Sequence, residues 1–465
     1  MAYCGYVVQV KDLRKHTNAD RLQIATFFGN DTIVGLDVQV GDMGVYFPVD
    51  GQLSERFCQV NDLVRRKNPE TGAYEGGYMD PGKRNIKAIK LRGEKSDGLY
   101  MPLKAFTDFC KISDLKVGDT IDTLNGELIC QKYIPHSNKS AGRAGAGGAK
   151  KAKANIAPTF YEHVDTAQLA YNLTAFKPGD LVQLTLKMHG TSGRTGYLPL
   201  VHTKRTWFDK LFRRHGKDYK EYGYITGTRR VVLDGKRNGG FYDSDDFRHA
   251  MAAKFEGKLR KGEVVYYEIV GFQGPNGAPI MGQVANSKVK DKEFTKQYGE
   301  TTTFSYGCEQ SGTYEETFAN DISDGAVARI APCCEVYVYR MTMVNEDGDV
   351  VEYSPDQIRE RCEQMGVNVV PEFTRFFIPD HVPGLHGDWI PVDPAEYLVK
   401  RVEEYFDGPD PVGKTHVREG VVVRICNRTN FAVYKHKNFA FKVLEGIAKD
   451  EATAPDIEEA QEVQE

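Results

Sequence analysis

The sequence contains little cysteine, no long apolar run and no large excess of either charge. Its nine cysteines among 465 residues are too few, and odd in number, for a fully paired disulfide scaffold, so we expect reduced thiols. No stretch reaches the ~18 uninterrupted apolar residues that a membrane-spanning helix needs. The start of the sequence lacks the charged and then apolar layout of a signal peptide. We therefore predict a soluble protein of the cytoplasm or of a host-cell interior, without membrane attachment.

The sequence has no strong charge imbalance and lacks two common binding motifs. Sixty-one basic and 65 acidic residues give a net charge of −4, which by itself favours neither nucleic acid nor membrane as a partner. The adjacent pair Cys333 and Cys334 lacks the spacing of a structural zinc site. No glycine-rich phosphate loop of the P-loop or dinucleotide-binding type is present. Neither kind of site is therefore predicted.

Length and composition predict two folded domains joined by a linker. At roughly 100–200 residues per domain the chain holds two or three domains, and 40% hydrophobic residues supply real cores. A Gly/Ala-rich stretch with five basic and no acidic residues predicts a flexible linker, and a final stretch with seven acidic and no basic residues predicts a solvated tail. The predicted boundaries are 1–137 for the first domain, 138–157 for the linker, 158–449 for the second domain and 450–465 for the tail.

The pattern of apolar residues predicts an α+β protein. Before the linker, short alternating runs broken by Gly, Asp and Asn indicate a small all-β barrel of the oligonucleotide/oligosaccharide-binding (OB) type. Three Gly-Asp turns, in 40–47, 116–121 and 177–184, are expected to feed strands. After the linker, β-rich runs mix irregularly with helix-like pieces around 245–260, 354–366 and 394–406. Because the order is not an alternating βαβ pattern, we expect mixed antiparallel sheets.

The densest candidate for chemistry is LTLKMHGTSGR, residues 184–194. An alternating apolar strand delivers Lys187 into a Gly-rich turn, where a phosphate can approach the backbone closely. A nucleophilic lysine needs a pKa below the ~10.4 of a free side chain, through burial or a neighbouring cation. Taken alone the motif is weak, and a surface lysine before a turn is the simpler alternative.

Downstream strands add two carboxylates and two lysines. Glu268 lies in the middle of the apolar run VVYYEIVGF, and Glu419 opens the run EGVVVRI. A carboxylate in a buried strand is costly unless it is paired or binds metal, although either residue could instead be a surface charge on a sheet. With Lys187, Lys435 and Lys437 they form the set that metal-assisted attack on a triphosphate requires.

Six short motifs give the sequence a family resemblance. They follow the order of motifs I, Ia, III, IIIa, IV and V of the covalent nucleotidyltransferases, which include polynucleotide ligases and capping enzymes. Together they span most of 180–445, and six ordered motifs are far more specific than one. The matching segments are KMHG (187–190), TGTRR (226–230), YEIVGF (267–272), YVYRMT (337–342), EGVVVR (419–424) and YKHK (434–437).

Within that superfamily the sequence resembles the Naegleria-type ATP-dependent RNA ligases. DNA ligases and capping enzymes carry an OB domain after motif V, whereas here only 23 residues follow Lys442, mostly the acidic tail. The segment 82–103 resembles the N-terminal barrel of the RNA ligase family, and 15–25 is similar to tRNA-binding barrels. The resemblance implies an OB-like barrel followed by a mixed antiparallel-sheet, ATP-grasp-like nucleotidyltransferase domain that uses ATP with Mg²⁺ or Mn²⁺.

The resemblance also implies roles for individual residues. Lys187 would be the adenylated nucleophile, and Arg229 a ligand for ribose or an RNA phosphate. Glu268 and Glu419 would bind a ribose hydroxyl or the divalent metal ion. The remaining implied roles are phosphate binding by Lys435 and Lys437, and adenine stacking by Tyr339, with Tyr337 on the same predicted strand face as the alternative.

Two departures and one insertion bear on the substrate. His189 replaces the aspartate commonest in motif I, as in RNA ligases, and Arg230 stands where related enzymes often have Asn, which leaves it as a candidate RNA contact. The insertion 201–224 mixes seven basic residues with aromatic ones, a composition suited to RNA through Arg213 and Arg214. A solvated helical hairpin is the alternative for this insertion.

These resemblances imply an enzyme of RNA repair that joins a 3′-hydroxyl and a 5′-phosphate RNA end. The implied route passes through a lysyl-adenylate and an adenylated RNA 5′ end, and no protein partner is predicted. Two alternatives stay open from the sequence. One is a capping-type guanylyltransferase that uses GTP, and the other is a non-catalytic RNA-binding protein on a degenerate transferase fold.

Overall fold

A computed structural model describes most of the chain. The described residues are 3–134, 156–204, 206–207, 212, 216–233, 246–312, 331–384 and 388–450. They divide into two compact units that are interleaved along the sequence. The first unit comprises Met1–His136, Ala285–Glu300 and Phe439–Ala452, and the second comprises Ser137–Val284 and Thr301–Asn438. Packing thus adds two later segments of the chain to the first unit. The contiguous boundaries 1–137 and 158–449 stay a prediction from composition.

The first unit is rich in short strands. Three α-helices belong to it, Glu55–Val60, Lys292–Tyr298 and Phe439–Asp450, with three short 3-10 helices, Leu103–Phe106, Ile112–Asp114 and Asn286–Val289. Its strands are β1 (Gly5–Gln9), β2 (Leu13–Lys15), β3 (Leu22–Phe27), β4 (Asn30–Gly35), β5 (Met43–Phe47), β6 (Gly51–Leu53), β7 (Arg65–Lys67), β8 (Tyr74–Gly76), β9 (Ala88–Leu91), β10 (Glu94–Asp97), β11 (Leu99–Pro102), β12 (Thr120–Ile121), β13 (Thr123–Leu124), β14 (Glu127–Leu128) and β15 (Cys130–Lys132).

Antiparallel pairing organises the first unit. Its largest sheet has the order β11-β5-β1-β12, and β2, β3 and β4 form a second antiparallel sheet. Val7, Val45 and Phe47 from the first sheet pack with Phe57 and Phe106 in one apolar core. The strand-rich character predicted before the linker is confirmed, and the specific OB-type barrel stays a prediction.

The three Gly-Asp turns have the same local structure. Gly41, Gly118 and Gly179 all have positive φ angles, near 97°, 99° and 82°. In each turn the following Asp carboxylate accepts a hydrogen bond from the backbone N–H three residues earlier, at 2.8, 2.7 and 2.8 Å. Glycine adopts this left-handed conformation without a Cβ penalty, and Asp caps the turn locally. Each turn leads into a strand, which is β5, β12 or the strand Leu181–Leu186, as the sequence predicts.

Three helices and the remaining strands build the second unit, except that Ala285, the last residue of the strand Val284–Ala285, belongs to the first unit. The helices Asp246–Ala253, Pro355–Met365 and Pro394–Glu403 lie where the sequence predicts helices. Two 3-10 helices, Leu169–Tyr171 and Leu173–Ala175, precede them in the chain. The strands are β16 (Ala167–Gln168), β17 (Leu181–Leu186), β18 (Thr191–Lys204), β19 (Lys217–Gly227), β20 (Val232–Leu233), β21 (Glu263–Gly271), β22 (Val284–Ala285), β23 (Thr301–Thr302), β24 (Cys334–Val344), β25 (Val350–Glu352), β26 (Asn368–Val369), β27 (Glu372–Phe377), β28 (His381–Pro383), β29 (Trp389–Pro391), β30 (Gly420–Ile425) and β31 (Ala432–Lys437).

Two mostly antiparallel sheets form the second unit, so the α+β class is confirmed. One has the order β16-β31-β30-β17-β27, and the other has the order β20-β19-β18-β21-β24-β25, with β26 parallel to β24. The chain crosses from β17 in the first sheet to β18 in the second through Lys187–Gly190. The motif with the candidate nucleophile is therefore the connection between the two sheets.

Side-chain alternation decides which face of the five-stranded sheet carries the lysines. Val182, Leu184 and Leu186 of β17 are almost completely buried, and the first two share an apolar core with Leu398 and Val402 of the helix Pro394–Glu403. Successive side chains on a strand point to opposite faces, so Lys187, one residue beyond Leu186, is displaced to the other face. Each buried aliphatic side chain contributes roughly 1.5–3 kcal/mol, which fixes the register strongly.

Several other expectations can be compared directly with the structure. All nine cysteines are free thiols, as predicted. Among the described residues, no helix is long and apolar enough to cross a membrane. The residues of the insertion up to Lys204 and from Lys217 onward belong to β18 and β19 and pair antiparallel. Most of 205–215 lies outside the described residues, so the helical-hairpin alternative stays open for that segment. Arg213 and Arg214 lie outside the described residues.

Candidate active site

Lys187, Glu419 and Lys437 form the centre of the site. The N–H of Lys187 donates to the carbonyl oxygen of Gly420 at 3.0 Å, and Gly420 lies opposite Lys437 in the β30–β31 pair. The two lysines therefore occupy one row across three strands, with Gly420 between them. Glu419 Oε1 lies 2.7 Å from Lys187 Nζ and 3.2 Å from Lys437 Nζ. One carboxylate thus holds both ammonium groups.

The charge of Glu419 is set by burial and by its cationic neighbours. Its side chain is only 2% exposed, and burial alone would raise its pKa. Lys187 and Lys437, helped by His189, overcome that effect and hold the pKa of Glu419 far below its usual value. The carboxylate is therefore ionised at neutral pH. Its second oxygen, Oε2, is buried without a hydrogen-bond partner, 3.5 Å from His189 Nδ1.

Two glycines allow this close packing. Gly420 has a φ of 145°, and a Cβ built on it would fall 2.0 Å from the carbonyl oxygen of His436. A Cβ on Gly190 would fall 2.3 Å from the carbonyl oxygen of Ile269 and 2.9 Å from Glu268 Cγ. Any side chain at either position would collide with backbone. The glycine of the KMHG motif therefore brings the loop that follows Lys187 against β21.

Glu268 belongs to a second row of polar side chains on the other sheet. It lies opposite Ser192 of β18 and opposite Tyr337 of β24. Directly opposed residues of antiparallel strands share a face, so these three side chains point the same way. The hydroxyl of Ser192 donates to Glu268 Oε2 at 3.3 Å. Glu268 is half-buried in the middle of β21, as the sequence predicts.

A β-bulge at Tyr339 changes the simple alternation assumed from the sequence. In β24, Val338 lies opposite Tyr267 and Arg340 lies opposite Tyr266, so Tyr339 is the extra residue. Bulges re-aim a side chain and are common beside active sites. Burial, and then the charge of Glu268, raise the pKa of the Tyr339 hydroxyl. Tyr339 therefore lies near Glu268, and its ring meets that of His163 edge-on at 5.1 Å.

Arg229 and Arg230 follow β19 rather than lying within it. The strand ends at Gly227, and the two arginines belong to the turn before β20. Arg229 therefore lies two residues beyond the end of the strand. Both guanidinium groups reach Asp165, at 3.2 Å from Arg229 and 3.5 Å from Arg230. Burial, and then the charge of Arg229, hold the pKa of His163 well below its ordinary value, so Arg229 lies close to His163.

Lys435 and Lys442, only seven residues apart in the sequence, lie in different units of the protein. Lys435 lies opposite Val422 and two residues before Lys437, so it is on the same face of β31 as Lys437. Lys442, in contrast, lies in the helix Phe439–Asp450 of the first unit, where its Nζ is 2.5 Å from Asp97. The structure therefore brings Lys187, Lys435 and Lys437 to one face of one sheet and excludes Lys442 from this group.

Sequence reasoning missed several residues that support the site. The hydroxyl of Tyr306 accepts a hydrogen bond from the His189 N–H at 2.7 Å. Arg248 of the helix Asp246–Ala253 donates to the Thr191 hydroxyl at 2.7 Å and to the Ser192 carbonyl at 3.2 Å. Tyr306 is 117 residues from its partner and Arg248 is 57 residues from Thr191. No local sequence pattern marks contacts between residues so far apart. The only available signal was a single arginine or tyrosine within a largely apolar stretch.

The carboxylates offer limited means to hold a metal ion. No group of three or more potential ligands occurs among the described residues. Mg²⁺ and Mn²⁺ nevertheless need only one or two protein carboxylates when substrate phosphates complete the shell. The buried Oε2 of Glu419, 3.5 Å from His189 Nδ1, and the half-buried carboxylate of Glu268 are oxygen donors of that kind. These residues therefore fit a divalent cation that arrives with a phosphate ligand.

Replacing Asp165 with asparagine is expected to strengthen RNA binding about 3- to 5-fold at low salt. Asp165 is 42% exposed and its arginine partners are about one third exposed, so the pairing contributes only ~0–1 kcal/mol. If the two arginines contact an RNA phosphate, as the family resemblance implies, that phosphate competes with this carboxylate for the same guanidinium groups. Fluorescence anisotropy with a 5′-phosphorylated oligonucleotide over a salt series measures the effect.

The matched control for this substitution is Asp347→Asn, which makes the same charge change at an exposed turn of the same unit. An equal gain in both variants would mean that only net charge matters. Unchanged or weaker binding by Asp165→Asn would mean that Asp165 does not compete with RNA.

Comparison with known proteins identifies the fold. No protein-family model matches the sequence, and no curated protein matches it. Solved structures of Naegleria gruberi RNA ligase match over both units at 13–14% identity. A variant with AMP and Mn has a TM-score of 0.51 over 94% of this chain and 97% of that one. Two variants with ATP and Mn have TM-scores of 0.53, over 94% and 98%, and 0.52, over 96% and 99%. The chain thus has the fold of this RNA ligase.

Proposed function

We propose that this protein is an ATP-dependent RNA ligase of the Naegleria type, which joins RNA 3′-hydroxyl and 5′-phosphate ends. The observation that carries the proposal is the buried Glu419, which holds Lys187 and Lys437 side by side at the end of β17. Solved structures of the same fold are RNA ligases with ATP and Mn, which supports ATP and Mn²⁺ or Mg²⁺ as cofactors. The lysine–glutamate cluster and the fold therefore both support transfer of an adenylyl group through a lysine.

In the first step Lys187 Nζ attacks the α-phosphate of ATP. A P–N bond forms, the bond between the α-phosphorus and the bridging oxygen breaks, and pyrophosphate leaves. Lys187 must lose its proton for this attack, and solvent water or the leaving pyrophosphate takes that proton up. Glu419 orients its amine from 2.7 Å, and Lys437, on the other side of the carboxylate, is placed to neutralise phosphate charge. The strongly depressed pKa of Glu419 suits it to hold cations rather than to store the proton.

The nucleotide would be held by groups of both sheets. Glu268 and Glu419 would hold the divalent cation, which supplies charge neutralisation on the triphosphate. Tyr339, re-aimed by the bulge, would stack on adenine, and Arg229 would contact ribose or an RNA phosphate. Lys435 and Lys437 share a strand face and would bind phosphates during both adenylation and sealing. Arg230 would contribute to RNA binding together with Arg213 and Arg214.

The second and third steps transfer and then release AMP. The RNA 5′-phosphate oxygen attacks the lysyl-adenylate, the P–N bond breaks, and Lys187 regains a proton. The RNA 3′-hydroxyl then attacks the activated 5′-phosphorus and displaces AMP, which leaves a phosphodiester bond. Lysine suits this sequence because a phosphoramidate is activated for transfer in the following step.

Incubation with α-labelled nucleotide tests the function directly. The protein should become labelled by ATP with Mn²⁺ or Mg²⁺, and not by GTP, and should then seal RNA that carries 3′-hydroxyl and 5′-phosphate ends. Labelling by GTP instead would indicate a capping-type guanylyltransferase. RNA binding without labelling by either nucleotide would indicate a non-catalytic protein. Comparison of single-stranded and nicked duplex RNA in the same assay identifies the substrate class.

A further inference from the structure

Arg194 is the largest fully buried side chain among the described residues, with 1% of its surface exposed. It lies on β18, seven residues after Lys187, and faces Gly227 across the β18–β19 pair. The sequence shows it only as one polar residue in an alternating strand. A guanidinium group cannot be deprotonated in a protein, so a fully buried one must be held by hydrogen bonds.

The guanidinium of Arg194 donates to carbonyl oxygens on both sides of Arg229. Its Nε donates to the carbonyl of Thr228 at 3.0 Å, and its Nη2 donates to the carbonyl of Arg230 at 3.2 Å. Its Nη1 donates to the carbonyl of Phe160 at 3.0 Å. The central carbon of the guanidinium also lies 4.3 Å from the centre of the Phe160 ring. One rigid fork therefore joins the Arg229 turn to the segment that follows the linker.

The turn that carries Arg229 is fixed from within as well. The Thr228 N–H donates to the Val231 carbonyl at 2.8 Å, and the Thr228 hydroxyl accepts from the Val231 N–H at 3.1 Å. A Cβ at Gly227 would fall 2.5 Å from the Val231 carbonyl oxygen and 3.3 Å from Arg194 Nε. These hydrogen bonds, together with those from Arg194, hold the backbone on both sides of Arg229, while the Arg229 side chain is one third exposed.

We propose that Arg194 is a positioning residue that acts through Arg229 and aims its guanidinium at the nucleotide or RNA phosphate. This rests on the proposed function. Arg194 contacts no substrate, because it is fully buried and three backbone carbonyls accept its hydrogen bonds. A displacement of ~1 Å in a group that orients substrate can change activity by ~100-fold. Lysine cannot replace it, because one ammonium cannot bridge three carbonyls in fork geometry.

The test is a double-mutant cycle on the full-length protein with Arg194→Lys, Arg229→Ala and both together. The KM for ATP and the maximal rate of lysine adenylation are measured, followed by the KM for RNA in sealing. We expect Arg194→Lys to raise the same KM that Arg229→Ala raises, by ~10- to 100-fold. The maximal rate should change less than ~3-fold, and the double variant should resemble Arg229→Ala alone because the two residues act as a unit.

A matched buried arginine serves as control. Arg361 is 7% exposed and donates to Glu263 at 2.8 and 2.9 Å, away from the lysine row. Arg361→Lys should lower the thermal unfolding temperature without changing either KM. A merely structural Arg194 would give the same pattern as this control, or effects that add to those of Arg229→Ala, and either result would overturn the proposal.

Different results would overturn the proposed function and the positioning role of Arg194. If the wild-type protein is not labelled by ATP and does not seal RNA, the proposed function is wrong and the role of Arg194 falls with it. If the wild type is active but Arg229→Ala leaves both KM values unchanged, Arg229 is no ligand and only the positioning role is overturned.

Discussion

Lys187→Ala is expected to abolish labelling of the protein by ATP, with a loss on the order of 10⁴-fold or more. Alanine has no nucleophile, and no other described lysine has the same position at the end of β17 with a carboxylate at 2.7 Å. The sealing step can be measured apart from lysine adenylation, because RNA that already carries AMP on its 5′ end does not need Lys187. Sealing of such RNA should therefore persist in Lys187→Ala, which shows that the variant is folded and that only the first step is lost.

Lys442→Ala is the matched control for this prediction. Lys442 follows the same stretch of sequence as Lys437 but pairs with Asp97 in the first unit. We expect its substitution to leave labelling near the wild-type level. Labelled protein in Lys187→Ala, with the label mapped to another lysine, would contradict the assignment of the nucleophile.

Glu419→Gln is expected to slow lysine adenylation by about 10²- to 10³-fold and to destabilise the protein. The buried carboxylate compensates two ammonium groups, and its loss leaves Lys187 and Lys437 facing a neutral amide. Breaking a buried ion pair by removing one partner costs about 3–5 kcal/mol. The rate of adenylation at saturating ATP and the free energy of unfolding in denaturant report the two effects separately.

Glu263→Gln distinguishes catalysis from stability in this experiment. Glu263 is also fully buried, begins β21 and pairs with Arg361. Its substitution should lower stability comparably while adenylation changes little below the unfolding temperature. Equal losses of adenylation in both variants would mean that Glu419 has no role beyond the fold.

The destabilisation by Glu419→Gln should also depend on pH. The pKa of Glu419 is depressed in the folded protein, so the unfolded chain takes up a proton first as the pH falls. The carboxylate therefore stabilises the fold fully above an unfolded-state pKa of ~4.3, and this contribution declines below it. The difference in unfolding free energy between wild type and variant should be largest at neutral pH and should narrow on acidification. A difference that stays constant down to about pH 3, well below the unfolded-state pKa, would contradict the pairing.

Local chemistry made part of the site predictable. The strand that ends at Lys187, the carboxylate in the middle of β21 and the carboxylate just before β30 follow from alternation and from the cost of burying charge. The Gly-Asp turns and three helices follow from the same short-range rules. Period-two reasoning failed at Tyr339, because the bulge in β24 inserts a residue that no sequence pattern announces.

By itself the sequence determined the alternating strands, the turns, the reduced thiols and the order of the charged residues that became candidates. Only the tertiary structure decided that Glu419 holds Lys187 and Lys437, that Lys442 belongs to the other unit, and that Arg194 secures the turn of Arg229. The physical reason is the sequence separation over which each interaction acts. Alternation and turn geometry act over a few residues, whereas these ion pairs and hydrogen bonds join positions 18 to 345 residues apart, where only packing brings them together.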